Sequence, residues 1–171
     1  GGAAAAQPAQ PPITPVEDFK PSPLNAPGQQ YPQVNSQGLA RFRVNAPNAQ
    51  SVSVTIGRVT MTKGEDGVWM GTSPQPLDEG FHYYHLTIDG GTFNDPGTMF
   101  FFGSSRYESG IDIPAKDQDF YAVKDVPHGR LSQVLYFSKS TNATRRCFVY
   151  TPPDYDKNTT ARYPVLYLQH G

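Results

Sequence analysis

The chain has 171 residues with 16 glycines and 17 prolines, about a fifth of the total against roughly 12% in average proteins, which argues against a fold dominated by long helices. Fourteen basic and 15 acidic side chains give a net charge of −1, so no basic field exists to hold a nucleic-acid backbone, and nucleic-acid partners are excluded. The one cysteine, Cys147, supports neither an internal disulfide nor a thiolate zinc site, and the longest purely apolar runs are about four residues where a membrane-spanning helix needs ~20. The composition predicts a soluble chain with no membrane span.

Residues 1–36 differ in kind from the rest. Pro8, Pro11, Pro12, Pro15, Pro21, Pro23, Pro27 and Pro32 recur among Ala, Gln and Asn, with only Glu17, Asp18 and Lys20 charged. Such a stretch buries too little apolar surface to offset its ordering entropy, and it is predicted to be an extended, polyproline-like linker or strap, with Ile13, Val16 and Phe19 able to dock on a neighbour. The small-residue run Ala3 to Ala6 resembles the tail of a signal-cleavage region, which predicts a secreted or periplasmic protein whose signal lies upstream of this sequence.

From Leu39 the apolar residues alternate with period two, as half-buried strands require. Ala40, Phe42 and Val44 form one such face, and Val52, Val54 and Ile56 another. Further strands are predicted at 59–62, 68–71, 81–88, 92–93 and 99–102, with Asp89-Gly90 as a two-residue hairpin turn. Within 99–102, three consecutive phenylalanines cannot all face inward on one strand, so some are expected to cover an interface with a neighbouring domain. Short strands at this spacing, divided by Pro/Gly turns, predict a β-sandwich over residues 37–126.

A second pattern occupies 127–171. Strands are predicted at 131–137 and 145–150, and the continuously apolar Tyr163 to Leu168 is predicted as a strand buried on both faces of a parallel sheet. Three strands without covering helices cannot bury both faces, so this segment is expected to be the opening of a larger α/β domain. The fold class is thus mainly β, a β-sandwich followed by the first strands of an α/β unit.

The order Phe42-Arg43-Val44-Asn45-Ala46-Pro47-Asn48, Gly67-Val68-Trp69, Pro76-Leu77-Asp78-Glu79-Gly80-Phe81-His82-Tyr83-Tyr84 and Asp89-Gly90 through Asn94-Asp95-Pro96 resembles carbohydrate-binding module family 48. That resemblance implies an immunoglobulin-like sandwich that binds a polysaccharide or precedes a catalytic domain. The order Arg145 to Tyr155, then Tyr163 to Gly171, resembles the start of an esterase-D-like α/β-hydrolase of carbohydrate esterase family 1. Together they imply the N-terminal part of a secreted feruloyl esterase acting on arabinoxylan, or an acetylxylan esterase, with plant cell-wall polysaccharide and the remainder of the esterase domain as partners and no cofactor. A non-catalytic polysaccharide-binding module and a structural spacer are the alternatives.

Ester hydrolysis on that fold needs a G-x-S-x-G elbow. Gly71-Thr72-Ser73-Pro74-Gln75 and Gly103-Ser104-Ser105-Arg106-Tyr107 both lack its closing glycine, so no catalytic residue is expected in this chain. The resemblance makes His170 and Gly171 the start of the oxyanion loop. Sugars are gripped by flat aromatic faces with polar groups at the rim, which makes Trp69, Tyr83, His85, Phe93 and Tyr107 the carbohydrate-binding candidates. The resemblance implies that His85 stands where glucan binders often carry lysine, while the two tryptophans those binders use have no counterpart, so another glycan or a spacer role is expected. Trp69 faces outward if Val68 and Met70 are the core pair, and otherwise belongs to the core. His82 and His85, three apart on a strand, point to opposite faces and cannot share a metal ion. Cys147 is predicted to be a buried structural thiol.

Overall fold

The computed structural model of the protein describes residues 8–103 and 105–169. The described chain is almost entirely β, with one 3-10 turn at Gln118–Phe120, and divides into two compact units between Tyr121 and Ala122, slightly before the boundary expected at 126/127. No helix among the described residues is long and apolar enough to cross a membrane.

In the first unit a five-stranded antiparallel sheet contains, in spatial order, β1 (Lys20–Pro21), β2 (Gln33–Val34), β3 (Ala40–Asn45), β6 (Val68–Thr72) and β5 (Thr62–Lys63). Two three-stranded sheets complete it. One orders β10 (Phe100–Gly103), β11 (Arg106–Ile113) and β7 (Gly80–Tyr84); the other orders β4 (Val52–Val54), β8 (Leu86–Ile88) and β9 (Gly91–Phe93). Only His85 separates β7 from β8, so the predicted strand over 81–88 is present with its pairing handed from one sheet to the next. The Asp89-Gly90 turn has the two positive φ angles, 47° and 83°, of a primed hairpin turn. Asp89 Oδ1 also accepts the N–H groups of Gln50 and Ser51, both at 2.8 Å, which ties the turn to the start of β4.

The apolar faces of all three sheets meet in one core. Phe42 and Val44 come from β3, Val52 and Val54 from β4, Tyr84 and Leu86 from β7 and β8, and Ile111 and Ile113 from β11. Phe42 and Tyr84, both essentially inaccessible, meet edge to face at 5.2 Å. The Tyr84 hydroxyl donates to Asp95 Oδ2 at 2.6 Å, and Asp95 Oδ1 accepts from Gly97 N at 2.8 Å. Burial pushes the Asp95 carboxyl above its ordinary 3.8, against the opposing effect of those two hydrogen bonds, and burial together with the adjacent carboxylate drives the Tyr84 phenol far up.

Strand β11, central in its sheet, is absent from the sequence prediction. Its core-facing Ser109, Ile111 and Ile113 alternate with Glu108, Gly110 and Asp112, and a mid-strand glycine among acidic residues imitates a turn. The strand expected at 59–62 shrinks to Thr62–Lys63, although Val59 and Met61 still reach the core.

The described part of the Pro-rich segment is stitched to the first unit. Strands β1 and β2 extend the five-stranded sheet, and Ile13 N donates to Pro74 O at 2.9 Å. Ala26 N donates to Gly97 O and Met99 N to Leu24 O, each at 2.9 Å. Buried Asn35 is the hub: its Nδ2 donates to Val16 O at 3.0 Å while its Oδ1 accepts from Leu39 N at 2.9 Å. Glu17 forms a two-pronged pair with Arg41 at 2.8 and 3.0 Å, and Arg41 lies over the Phe19 ring. Docking therefore runs mainly through backbone polar groups, and Val16 contributes its amide and carbonyl while its side chain stays exposed.

The second unit contains one antiparallel ribbon, β12 (Arg130–Ser138) with β13 (Ala143–Thr151), close to the two predicted strands. By register one face carries Leu131, Leu135, Phe137, Phe148 and Tyr150, and the other Val134, Tyr136, Cys147 and Val149. Cys147 is half-buried, short of the full burial expected, because no third element packs on its face among the described residues. The strand predicted at Tyr163 to Leu168 is not formed. Residues 165–168 are 70% to 88% exposed, since an apolar run becomes a parallel strand only beside a neighbour that completes its hydrogen bonds, and no described residue does so.

Two outcomes follow. A carboxyl whose folded value is raised binds more protons folded than unfolded, so its contribution to stability is fullest below 3.8 and falls as pH rises through the raised value. Relative to Asp95→Asn, the parent chain is expected to lose stability across that window and then level off in urea titrations read by Trp69 emission; parallel pH curves would contradict this. Asn35→Ala orphans the buried Leu39 N–H and is expected to cost ~1–3 kcal/mol and to speed proteolysis within residues 8–30.

Candidate functional site

Because β7 and β8 alternate without interruption through His85, inward Tyr84 and Leu86 turn Phe81, Tyr83 and His85 to the outer face, away from the core. Register places Glu108, Gly110 and Asp112 of β11, and Phe101 and Gly103 of β10, on that same face. Phe100 and Phe102 lie on the opposite face, so the three phenylalanines divide as the period requires.

The two glycines shape the aromatic surface. Tyr83 reaches from β7 across β11 to β10, where its hydroxyl donates to Phe102 O at 3.2 Å and its ring occupies the space a Gly103 side chain would need. A ring laid across a neighbouring strand has one face on the sheet and the other toward solvent, and Tyr83 is 40% exposed. Phe81 and Phe101 close over Gly110, where a Cβ would lie 2.6 Å from Phe81 Cε2 and 2.8 Å from Phe101 Cδ2. Phe81 meets Tyr83 at 4.7 Å and 89°, and Phe101 at 5.2 Å and 75°. Both are favourable edge-to-face geometries.

A polar rim borders the rings. Glu108 Oε1 accepts from Arg106 Nε at 2.8 Å and pairs with Arg106 Nη2 at 2.7 Å, while His85 Nδ1 stands 3.7 Å away. Arg106 lies opposite Gly103 in register, at the Tyr83 end of the patch. The whole forms an apolar platform with one clustered ion pair at its border, suited to flat rings rather than to bond-making chemistry.

The five predicted candidates separate. Tyr83 and His85 share the platform. Trp69 is corrected to the core: it is 8% exposed, pairs in register with inward Val44, and donates its indole N–H to Ala46 O at 3.0 Å, while Met70 faces outward. Phe93, opposite Leu86, and Tyr107, opposite Phe102, are exposed at edges of the layer but on its core-side face. Asn94 Nδ2 donates to Tyr107 O at 3.0 Å. His82 faces away from His85, with Nε2 2.7 Å from Asp78 O. Sequence reasoning missed Phe81, Phe101, Arg106, Glu108 and the glycine pair; the available signal is aromatic residues registered across strands from glycines.

In the second unit a concavity of about 250 Å³ is lined by His128, Arg130, Thr151, Asp154 and Lys157 among others. Its charges are paired, Arg130 with Asp156 at 3.0 Å and Lys157 with Asp154 at 2.9 Å. The expected oxyanion-loop residues His170 and Gly171 lie outside the described residues. Among the described residues no group of three or more His, Cys, Asp or Glu is placed to hold a metal ion.

No family model matches the chain. The chain is similar to a protein of Xylanibacter ruminicola described as an endo-1,4-beta-xylanase/feruloyl esterase, with 58% identity over 166 residues. The alignment covers 92% of this chain and 23% of that protein, so the chain spans about a quarter of the relative's length.

Proposed function

We propose that this chain is the accessory part of a secreted or periplasmic xylan-degrading protein. In this reading its first unit is a β-sandwich of the family-48 kind that contacts the polysaccharide through Tyr83 and His85. Residues 127–171 open an esterase domain of carbohydrate esterase family 1, whose parent reaction is release of ferulate from arabinoxylan. The observation that carries the reading is the identity with the xylanase/feruloyl esterase over nearly the whole chain. The Tyr83 platform adds a physical means: exposed aromatic faces on which a flat group of a decorated xylan can stack, with His85 and Arg106 at the border. An insoluble polymer meets its enzyme outside the cytoplasm, which favours an exported location.

The ribbon β12–β13 fits the same reading. Two paired strands with apolar side chains on both faces are marginal alone, and an α/β-hydrolase domain supplies further strands and helices to cover them.

In co-sedimentation with insoluble arabinoxylan and with starch, the chain is expected to bind the former and not the latter. Tyr83→Ala should weaken binding about tenfold, or ~1.4 kcal/mol, with Trp69 emission unchanged, while Phe93→Ala on the other face should bind as the parent does. Retention on neither polymer would favour a structural spacer.

A further inference from the structure

Resting on the reading just given, we infer that the outer-face aromatic cluster of Phe81, Tyr83 and Phe101 takes the aromatic acyl group of an esterified xylan rather than its sugar rings. Pyranose recognition requires side-chain donors and acceptors around the stacking face, because a buried sugar hydroxyl without a partner is costly. Two of the polar groups bordering these rings are already engaged, since the Tyr83 hydroxyl donates to Phe102 O and the Glu108 carboxylate is held by Arg106, which leaves few partners for the many hydroxyls of a sugar. What the site presents in quantity is ring faces and edges. Phe81 stands perpendicular to Tyr83 and at 75° to Phe101, so the cluster turns both ring faces and ring edges outward, the two surfaces on which another aromatic ring packs.

A hydroxycinnamoyl ester matches this arrangement in its polar groups as well. It carries a phenol oxygen and an ester carbonyl at opposite ends of a flat conjugated body. The Arg106 side chain is 60% exposed, and beyond the N–H groups turned to Glu108 its guanidinium has Nη1 hydrogens that such an oxygen can accept. Gly110 is the residue that sets the cluster, because any larger residue there would displace Phe81 and Phe101. In this role the first unit holds a feruloylated side branch non-covalently and raises the local concentration of such branches near an esterase.

The test is saturation-transfer NMR on the full chain with methyl ferulate and xylotetraose as separate probes, beside co-sedimentation with feruloylated arabinoxylan. Transfer to the aromatic protons of methyl ferulate and not to xylotetraose, lost at least fivefold in both Phe81→Ala and Gly110→Ala with Trp69 emission unchanged, supports the inference. Transfer to xylotetraose without methyl ferulate, or methyl ferulate transfer unaffected by both substitutions, overturns it while leaving the xylan-binding reading standing. Absence of transfer to either probe, with no retention on the polymer, overturns both.

Discussion

Tyr84 is anchored twice, by its ring against Phe42 across the core and by its hydroxyl on the buried carboxylate of Asp95. A strand alternates faces residue by residue, so this anchoring decides more than the packing of one side chain. It sends Phe81, Tyr83 and His85 outward together, and Leu86 inward to continue the core in the next sheet. A one-residue slip in β7 would bury the platform and expose Tyr84, which makes the register costly to change. Asp95 extends the same constraint to the turn that follows, since Gly97 and Ser109 are bonded to it. Gly97 in turn accepts the amide of Ala26 from the strap.

The strap shows how a proline-rich segment can be ordered without a core of its own. Prolines lack the amide donor, so the segment cannot form long ladders. It is held instead at separate points where a non-proline amide or a side-chain amide reaches a fixed carbonyl. Asn35, Gln37 and Asn25 supply these points. Composition alone predicts an extended segment, but it cannot show which bonds are made to the neighbouring sheet rather than to water.

Most strands of the first unit are legible because their alternation is uninterrupted, as in 40–45 and 52–54, and because Asp89-Gly90 has one natural turn type. Legibility fails where a strand serves two environments. In β11 the core-side residues are small or branched, while the outer residues are a paired acid, a glycine under aromatic rings and a second buried acid, so neither face reads as apolar. Trp69 is ambiguous in the sequence because Val68, Trp69 and Met70 are all apolar, and only the pairing with Val44 resolves which one faces the core. Tyr83 is legible as an aromatic face and His85 through its place in the family motif. The meeting of Phe81, Phe101 and the two glycines is not legible, since it depends on which strands are neighbours. The apolar run at 163–168 marks a need for cover and not, by itself, a formed strand.

The proposed role turns on the outer face of the β10-β11-β7 sheet being the surface that contacts ligand. The most direct test is an amide chemical-shift map of the full chain titrated with a soluble feruloylated arabinoxylan fragment. The largest saturable shifts are expected on residues 81–85, 101–103 and 106–110, with the five-stranded sheet unmoved. Shifts centred on Phe93 and the core-side edge, or no saturable shift in the first unit, would contradict it.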